Sequence, residues 1–326
     1  MTKATAVAHP NIAFVKYWGR IDDDLNLPAN PSLSMNLAAL RTVTTVEFRP
    51  ELRSDRIVID GAPASGQAAR RVMLHLDRVR AMAGLKSWAQ VVSRNDFPAG
   101  TGLASSSSAF AALSAAGSQA AGLALDERSL SRLARLGSGS ACRSVPAGFC
   151  LWQGKHDETS WACQVAPPDH WALHDVIAIV SRTPKSVSSG EGHSLAPTSP
   201  FYQARLQTIP ELLEQVHRAV VDRDLDALGR AMERDALAMH GVMMTSQPSL
   251  LYWRPETLVV LDAVRAWRSE GLAVYFTLDA GPNVHCLCRG SDVADVGARL
   301  RDLPGVVDVL VSGPGAGVRL VVDHLF

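Results

Sequence analysis

Alternation of apolar and polar positions marks the first part of the chain. "NIAFVKYW" (11–18), "TVTTVEF" (42–48) and "RIVID" (56–60) have the alternating or β-branched character of strands. "QAARRVMLHLDRVRAMAG" (67–84) instead sets Val72, Leu76 and Val79 at helical spacing and stops at Gly84, a natural C-cap. A further strand, "WAQVVSR" (88–94), runs into "PAGTGLASSSSAF" (98–110). After those glycines, "SSSSAFAALSAAGSQAAG" (105–122) has the Ala-rich Phe110/Leu113 pattern of a buried helix, and "LDERSLSRLARLG" (125–137) is amphipathic. "HDVIAIVSRTP" (174–184) predicts a buried strand ending at a proline, and a domain boundary is expected there, between 1–183 and 184–326. Beyond it come three helical segments (204–220, 225–243, 255–268). Strand-like runs (272–278, 283–288, 306–311, 317–322) then enclose a helix at 293–303, which suggests an α+β layer of β-α-β character. No repeat or long linker separates the halves, so a ligand site is expected at their interface.

Composition narrows the classes. The 326 residues suit one large domain or two ordinary ones. Lys+Arg and Asp+Glu balance at 32 each, so bulk charge argues for neither nucleic acid nor an anionic membrane as partner. Any bound anion must be held by local groups. Residues 97–125 carry no charge over 29 positions, long enough to span a bilayer. Pro98, Gly100, Gly102, Gly117 and Gly122 interrupt them, and Ala and Ser outnumber the strong apolar residues, so a membrane span is rejected. The N-terminus lacks a sustained apolar run and reads as mature sequence. The five cysteines form no CxxC pair; scattered thiols suit a reducing cytoplasm better than zinc or a disulfide framework.

Candidate chemistry lies in five places. The order strand, Gly/Ser loop, helix at 88–120 offers free N–H groups and a helix dipole to a phosphate. It is no Walker A loop, because no Gly-Lys-Ser/Thr follows. A tight turn before a closely packed helix explains the same residues equally well. "RLGSGSACRSVPAG" (135–148) pairs Ser140 and Arg143 three apart beside Ser138, a seat for a carboxylate or phosphate, against the plainer reading of an N-cap serine with a solvated arginine. On the strand 11–18, Lys16 interrupts an apolar row shared with Ile12, Phe14 and Trp18; it needs an anionic partner or a route to water, with Tyr17 and Arg20 nearby. Asp279 ends an apolar strand before Ala-Gly-Pro-Asn, as a base or as a turn residue. "SVSSGEGHS" (186–194) is another hydroxyl-rich turn, just after Lys185. The acids of "DDDLN" (22–26) read as a solvated loop.

Together, "NIAFVKYWGR…LNLPANPSLSMNL", "NDFPAGTGLASSSSAFAAL", "GSGSACRSVPAGF", "VSSGEGHSLAPTSPFYQAR", "ALAMHGVMMTSQPSLLYW" and "FTLDAGPNVH" resemble the mevalonate diphosphate decarboxylases of the GHMP kinase superfamily, in family order over nearly the whole chain. The resemblance implies a GHMP kinase fold, with a ribosomal-protein-S5-like N-terminal domain, a ferredoxin-like C-terminal domain and the site between them. It implies ATP and Mg2+ as cofactors, a phosphorylated mevalonate as substrate, and a homodimer. The 3-hydroxyl is phosphorylated, and phosphate and CO2 then leave. By the same resemblance Asp279 orients the 3-hydroxyl and accepts its proton, Lys16 positions the transferring groups, and Arg143 holds an anionic group near the reacting centre. Tyr17, Arg20, Ser138, Ser140 and Ser189 bind the substrate. Gly100, Gly102, Ala104, Ser105 and Ser106 form the ATP loop, with Ser106 on the phosphates and magnesium, and Ser93 and Asn95 border the nucleotide. Three positions depart from the family pattern: Arg20 for a lysine, Gly190 for a basic residue, and His193 for a methionine. The lost cation at Gly190 leaves a 5-monophosphate substrate, or a 3-kinase that stops before CO2 loss, as alternatives. A catalytically silent nucleotide- or metabolite-binding protein is the alternative from another class.

Overall fold

The computed structural model describes residues 3–97, 105–183, 185 and 187–326. A six-stranded sheet runs in the order Arg319–Val321, Ala4–Ala8, Thr42–Arg49, Trp88–Asn95, Arg56–Ile59, Ala62–Pro63. Arg56–Ile59 lies parallel to Trp88–Asn95, so the chain must cross over between them, and helix α1 (Gly66–Ala83) provides that crossover. It ends at Gly84 in the left-handed region, φ 64°, as the hydrophobic spacing predicts. Helix α2 (Ser105–Ala120) lies against this sheet. Its buried Ala111, Ala112, Ala115 and Ala116 are small enough for close approach, and Phe110 and Leu113 fill the same core as Val72, Leu76 and Val79. Helix α3 (Glu127–Gly137) starts at Asp126, whose carboxylate accepts the Ser129 N–H.

A second sheet, Trp161–Ala166, Phe149–Gln153, Ser32–Asn36, Asn11–Val15, has Asn11–Val15 at its edge. Its core is shared with the C-terminal half. Ile12, Phe14, Leu33 and Phe149 pack in one cluster with Ile177, Leu212, Val216, Leu228 and Met232. Leu212 and Val216 come from helix α5 (Tyr202–Asp222), after the short α4 (Ser189–Leu195), and the last two from α6 (Leu225–Thr245). The third sheet, Val274–Thr277, Val284–Arg289, Leu173–Ile179, Asp308–Ser312, is covered by α7 (Pro255–Ser269) and α8 (Val293–Arg301).

The strand pairings add two features that the sequence pattern does not carry. Leu173–Ile179 pairs with Val284–Arg289 and Asp308–Ser312, so the C-terminal sheet begins ahead of residue 183. The last strand, Arg319–Val321, leaves that sheet and pairs with Ala4–Ala8. Hydrophobic patterning shows that a strand exists, but not which unsatisfied edge it completes. The expected helices and strands otherwise appear in α+β order, and Ala4–Ala8, Ser32–Asn36, Phe149–Gln153 and Trp161–Ala166 are strands that the sequence pattern does not mark. Among the described residues no helix is long and apolar enough to cross a membrane.

Candidate active site

A cavity of about 630 Å³ lies where the N-terminal sheets meet α4, α6 and the loop after Val274–Thr277. Lys16, Tyr17, Arg20, Ser105, Ser106, Ser138, Ser140, Arg143, Ser189 and Asp279 all line it. Sequence positions spread over more than 260 residues therefore converge. Gly100, Gly102 and Ala104 lie outside the described residues. Ser93 and Asn95 are not in the lining: the Ser93 hydroxyl pairs with Thr44, and Asn95 accepts from Thr42 and donates to Asp60.

Lys16 is not on a strand, as the alternation predicted. The strand stops at Val15 after a register irregularity. From there α5 and α6 replace the ladder partners. The Lys16 N–H donates to Asp235 at 2.6 Å, and its carbonyl accepts from Arg205 and Asn30, both at 2.9 Å. Arg205 and Asp235 are themselves a buried ion pair. Freed from sheet geometry, the Lys16 side chain reaches Asp279, Nζ to Oδ1 2.7 Å, with side chains 2% and 25% exposed. Burial pulls the ammonium pKa down, and Asp279 offsets only part of that. Burial would raise the Asp279 carboxyl, but Lys16, His285 and Arg143 together hold it below the usual carboxylate range. Asp279 is therefore an ionised acceptor at neutral pH.

Arg143 lies on a 3₁₀ turn, Gly139–Ser144, where residues three apart eclipse and Ser140 shares its face. The turn packs close: a Cβ on Gly139 would sit 2.7 Å from the Tyr17 ring. The guanidinium is buried, with Nη1 on Ser32 at 2.6 Å, Nη2 on Asn11 at 3.1 Å and Nε on Ser34 at 3.0 Å. These partners leave one hydrogen on each terminal nitrogen for an anion. Burial pushes the Tyr17 phenol up to about 12, so it stays protonated; its oxygen accepts from Arg20 Nε at 2.9 Å and its hydrogen remains a donor. Ser106, in the first turn of α2, stands 3.2 Å from the Ser138 hydroxyl, which joins the two hydroxyl motifs.

The sequence reading gave no site role to several lining residues. Arg71 and Arg78 reach the cavity from one face of α1, at a helical i, i+7 spacing visible in the sequence. They also donate to the last carbonyls of α3, Gly137 and Leu136. Lys185 donates to Ser189 at 2.5 Å and to the Ala280 carbonyl at 3.0 Å, and burial pulls its pKa down to about 8. His193, tilted against Tyr17 and Trp18, accepts the Gly19 N–H at 3.0 Å. Burial and then Arg20 and Lys185 hold its pKa well below the ordinary value, so the ring is neutral. The absent cation at Gly190 leaves space beside Arg20: a Cβ there would lie 3.9 Å from the Arg20 Nη2.

Six cations (Lys16, Arg20, Arg71, Arg78, Arg143, Lys185) thus line the cavity against four carboxylates (Asp23, Asp24, Glu191, Asp279), a local excess of positive charge in a chain whose net charge is zero. A polyanion is the ligand such a wall favours. Among the described residues no three His, Cys, Asp or Glu side chains group to hold a metal. Serine hydroxyls near the start of α2 fit magnesium that arrives on phosphates, because Mg2+ keeps water and phosphate oxygens and takes few protein ligands.

Comparisons with known proteins match both halves of the chain. Residues 8–162 match the family model for the diphosphomevalonate decarboxylase-like N-terminal domain. Residues 175–308 match the mevalonate 5-diphosphate decarboxylase C-terminal domain. The phosphomevalonate decarboxylase of Haloferax volcanii is 35% identical over 96% of both chains. The diphosphomevalonate decarboxylase of Candida albicans is 33% identical over 87% of this chain and 83% of its own. A solved complex of MDDEF with MVAPP, AMPPCP and magnesium superposes with a TM-score of 0.92, at 38% identity and 98% coverage of each chain. With both halves matched, this chain belongs to the diphosphomevalonate decarboxylase family.

Proposed function

We propose that this chain decarboxylates mevalonate 5-diphosphate at the expense of ATP, yielding isopentenyl diphosphate, ADP, phosphate and CO2. The observation that carries the reading is the Lys16–Asp279 pair beside Arg143, set in a cavity where cations outnumber carboxylates and which the α2 serines also line. That MDDEF is described with MVAPP, AMPPCP and magnesium supports the same ligands here. MgATP supplies the phosphoryl group, and phosphoryl transfer asks the protein chiefly for positioning and charge stabilisation.

Asp279 accepts a hydrogen bond from the 3-hydroxyl and orients it. Because its pKa is lowered, it takes the proton late, as the P–O bond forms. Lys16 stabilises charge on the transferring group, and Lys185 and Ser106 hold the nucleotide phosphates, with Ser106 supplying the protein oxygen to magnesium. Arg143 offers its two spare N–H groups to the mevalonate carboxylate or the neighbouring phosphate. Tyr17, Arg20, Ser138, Ser140 and Ser189 hold the anionic tail, with Arg71 supplying further positive charge. Phosphate then leaves C3, the carboxylate C–C bond supplies the electron pair of the new double bond, and CO2 departs. The protein works as a homodimer in a reducing cytoplasm, to which its scattered thiols are suited.

The experiment supplies MgATP with mevalonate, its 5-phosphate or its 5-diphosphate, and measures ADP and CO2 separately. Stoichiometric ADP and CO2, with the 5-diphosphate as best substrate, is expected. ADP without CO2 would reduce the activity to a kinase, and a preference for the 5-phosphate would move the substrate assignment.

A further inference from the structure

Helix α6 touches both members of the Lys16–Asp279 pair, though it contributes neither. Asp235 accepts the Lys16 N–H at 2.6 Å. Five residues on, about 7.5 Å along a helix axis, His240 Nε2 donates to the Asp279 main-chain carbonyl at 3.1 Å. The acceptor is a carbonyl, so the ring must carry its proton on Nε2.

The histidine is a poor choice for packing alone. It is fully buried beside Ala236, Met239 and Met243, its ring centroid 5.1 Å from that of Trp253. Its Nδ1 is buried without a partner among the described residues. Such a nitrogen carries a desolvation cost that an apolar side chain avoids. The Asp279 carbonyl does not need the imidazole to be satisfied either, since it already accepts the Gly281 N–H at 2.7 Å. What the second bond adds is a tie from the turn carrying Asp279 to the helix that holds Lys16.

We propose that α6 is the spacer that sets the Lys16–Asp279 contact, with Asp235 and His240 as positioning residues for the reaction. This rests on the activity proposed above. Neither residue is among the cavity's lining, so each acts through its partner. A shift of about 1 Å in a reacting group costs up to about 100-fold in rate. A single rigid element gripping both partners guards against that shift.

The test compares wild type with His240→Leu, which removes the donor, and His240→Gln, whose side-chain amide keeps one near Nε2. His240→Leu is expected to lower kcat about 10- to 100-fold, with KM for ATP and for mevalonate diphosphate nearly unchanged and Tm maintained. His240→Gln is expected to restore most of kcat. Wild-type kcat in His240→Leu, or kcat that merely follows Tm across the two variants, overturns the positioning role. Absence of ADP and CO2 release from the wild type would instead overturn the activity itself. Histidine-selective 15N NMR of the wild-type protein tests the same contact even if the leucine variant fails to fold. The Nε2–H tautomer is expected for His240, and the Nδ1–H tautomer overturns the proposal.

Discussion

Asp279 stands under opposing influences: burial raises its pKa, while Lys16, His285 and Arg143 pull it lower. Its charge, more than its basicity, is therefore what the site preserves. Asp279→Asn is expected to lower kcat by about 10²–10⁴-fold while MgATP binding, followed by calorimetry, changes little. Near-normal turnover would remove Asp279 from the mechanism. Lys185 makes the second residue-level prediction. Burial lowers its pKa to about 8, so it is charged below that pH and neutral above it. kcat/KM, which reports the free enzyme, should therefore fall as pH rises through about 8. In Lys185→Arg that limb should move upward out of range, because a guanidinium stays charged. A limb that stays in place assigns the titration to another group.

Elements, not isolated side chains, set the close approaches around the cavity. The turn Gly139–Ser144 brings Arg143 and Ser140 in together only because Gly139 lets the Tyr17 ring lie against its backbone. Gly139→Ala puts a methyl 2.7 Å from that ring, so either the turn or Tyr17 must move. The expected outcome is a raised KM for the mevalonate substrate, a smaller change for ATP, and a stability loss of about 1–3 kcal/mol by overpacking. Steady-state kinetics and denaturant titration check it. Equal effects on both substrates would mean that the turn does not belong to the mevalonate side.

Across the whole molecule the halves are interlocked in two ways. The core joining Ile12, Phe14 and Leu33 to α5 and α6 ties the second sheet to the C-terminal helices. The last strand returns to cover the edge of Ala4–Ala8, aided by Thr5 to His324 and by Lys3 to the Phe326 carbonyl. Deleting residues 319–326 removes three cross-strand pairs, worth together about 1–3 kcal/mol, and uncovers a strand edge. Tm should fall by several degrees and aggregation on heating should rise, while kcat of the folded fraction is retained. Light scattering during a thermal melt, with activity measured beforehand, checks this. Unchanged Tm would mean that the strand adds nothing to the fold.

Helix ends, strand runs and the hydroxyl and cation motifs were legible because they depend on neighbours a few residues apart. Gly84 ends α1 by its own conformation, and Ser140 and Arg143 share a face by spacing alone. The motif order carried the family, and it named Lys16, Arg143 and Asp279 as candidates, which the fold brings into one cavity. Other features depend on contacts between distant parts of the chain. Lys16 leaves the strand because Arg205 and Asp235, some 190 and 220 residues away, take its backbone bonds. The closing strand joins the N-terminal sheet because that edge was unpaired. His240 shows no local sign of its tie to Asp279. Local pattern thus determined the elements and the chemical parts. Only tertiary structure decided which buried polar groups satisfy one another, because a buried donor must find an acceptor wherever the fold brings one within reach.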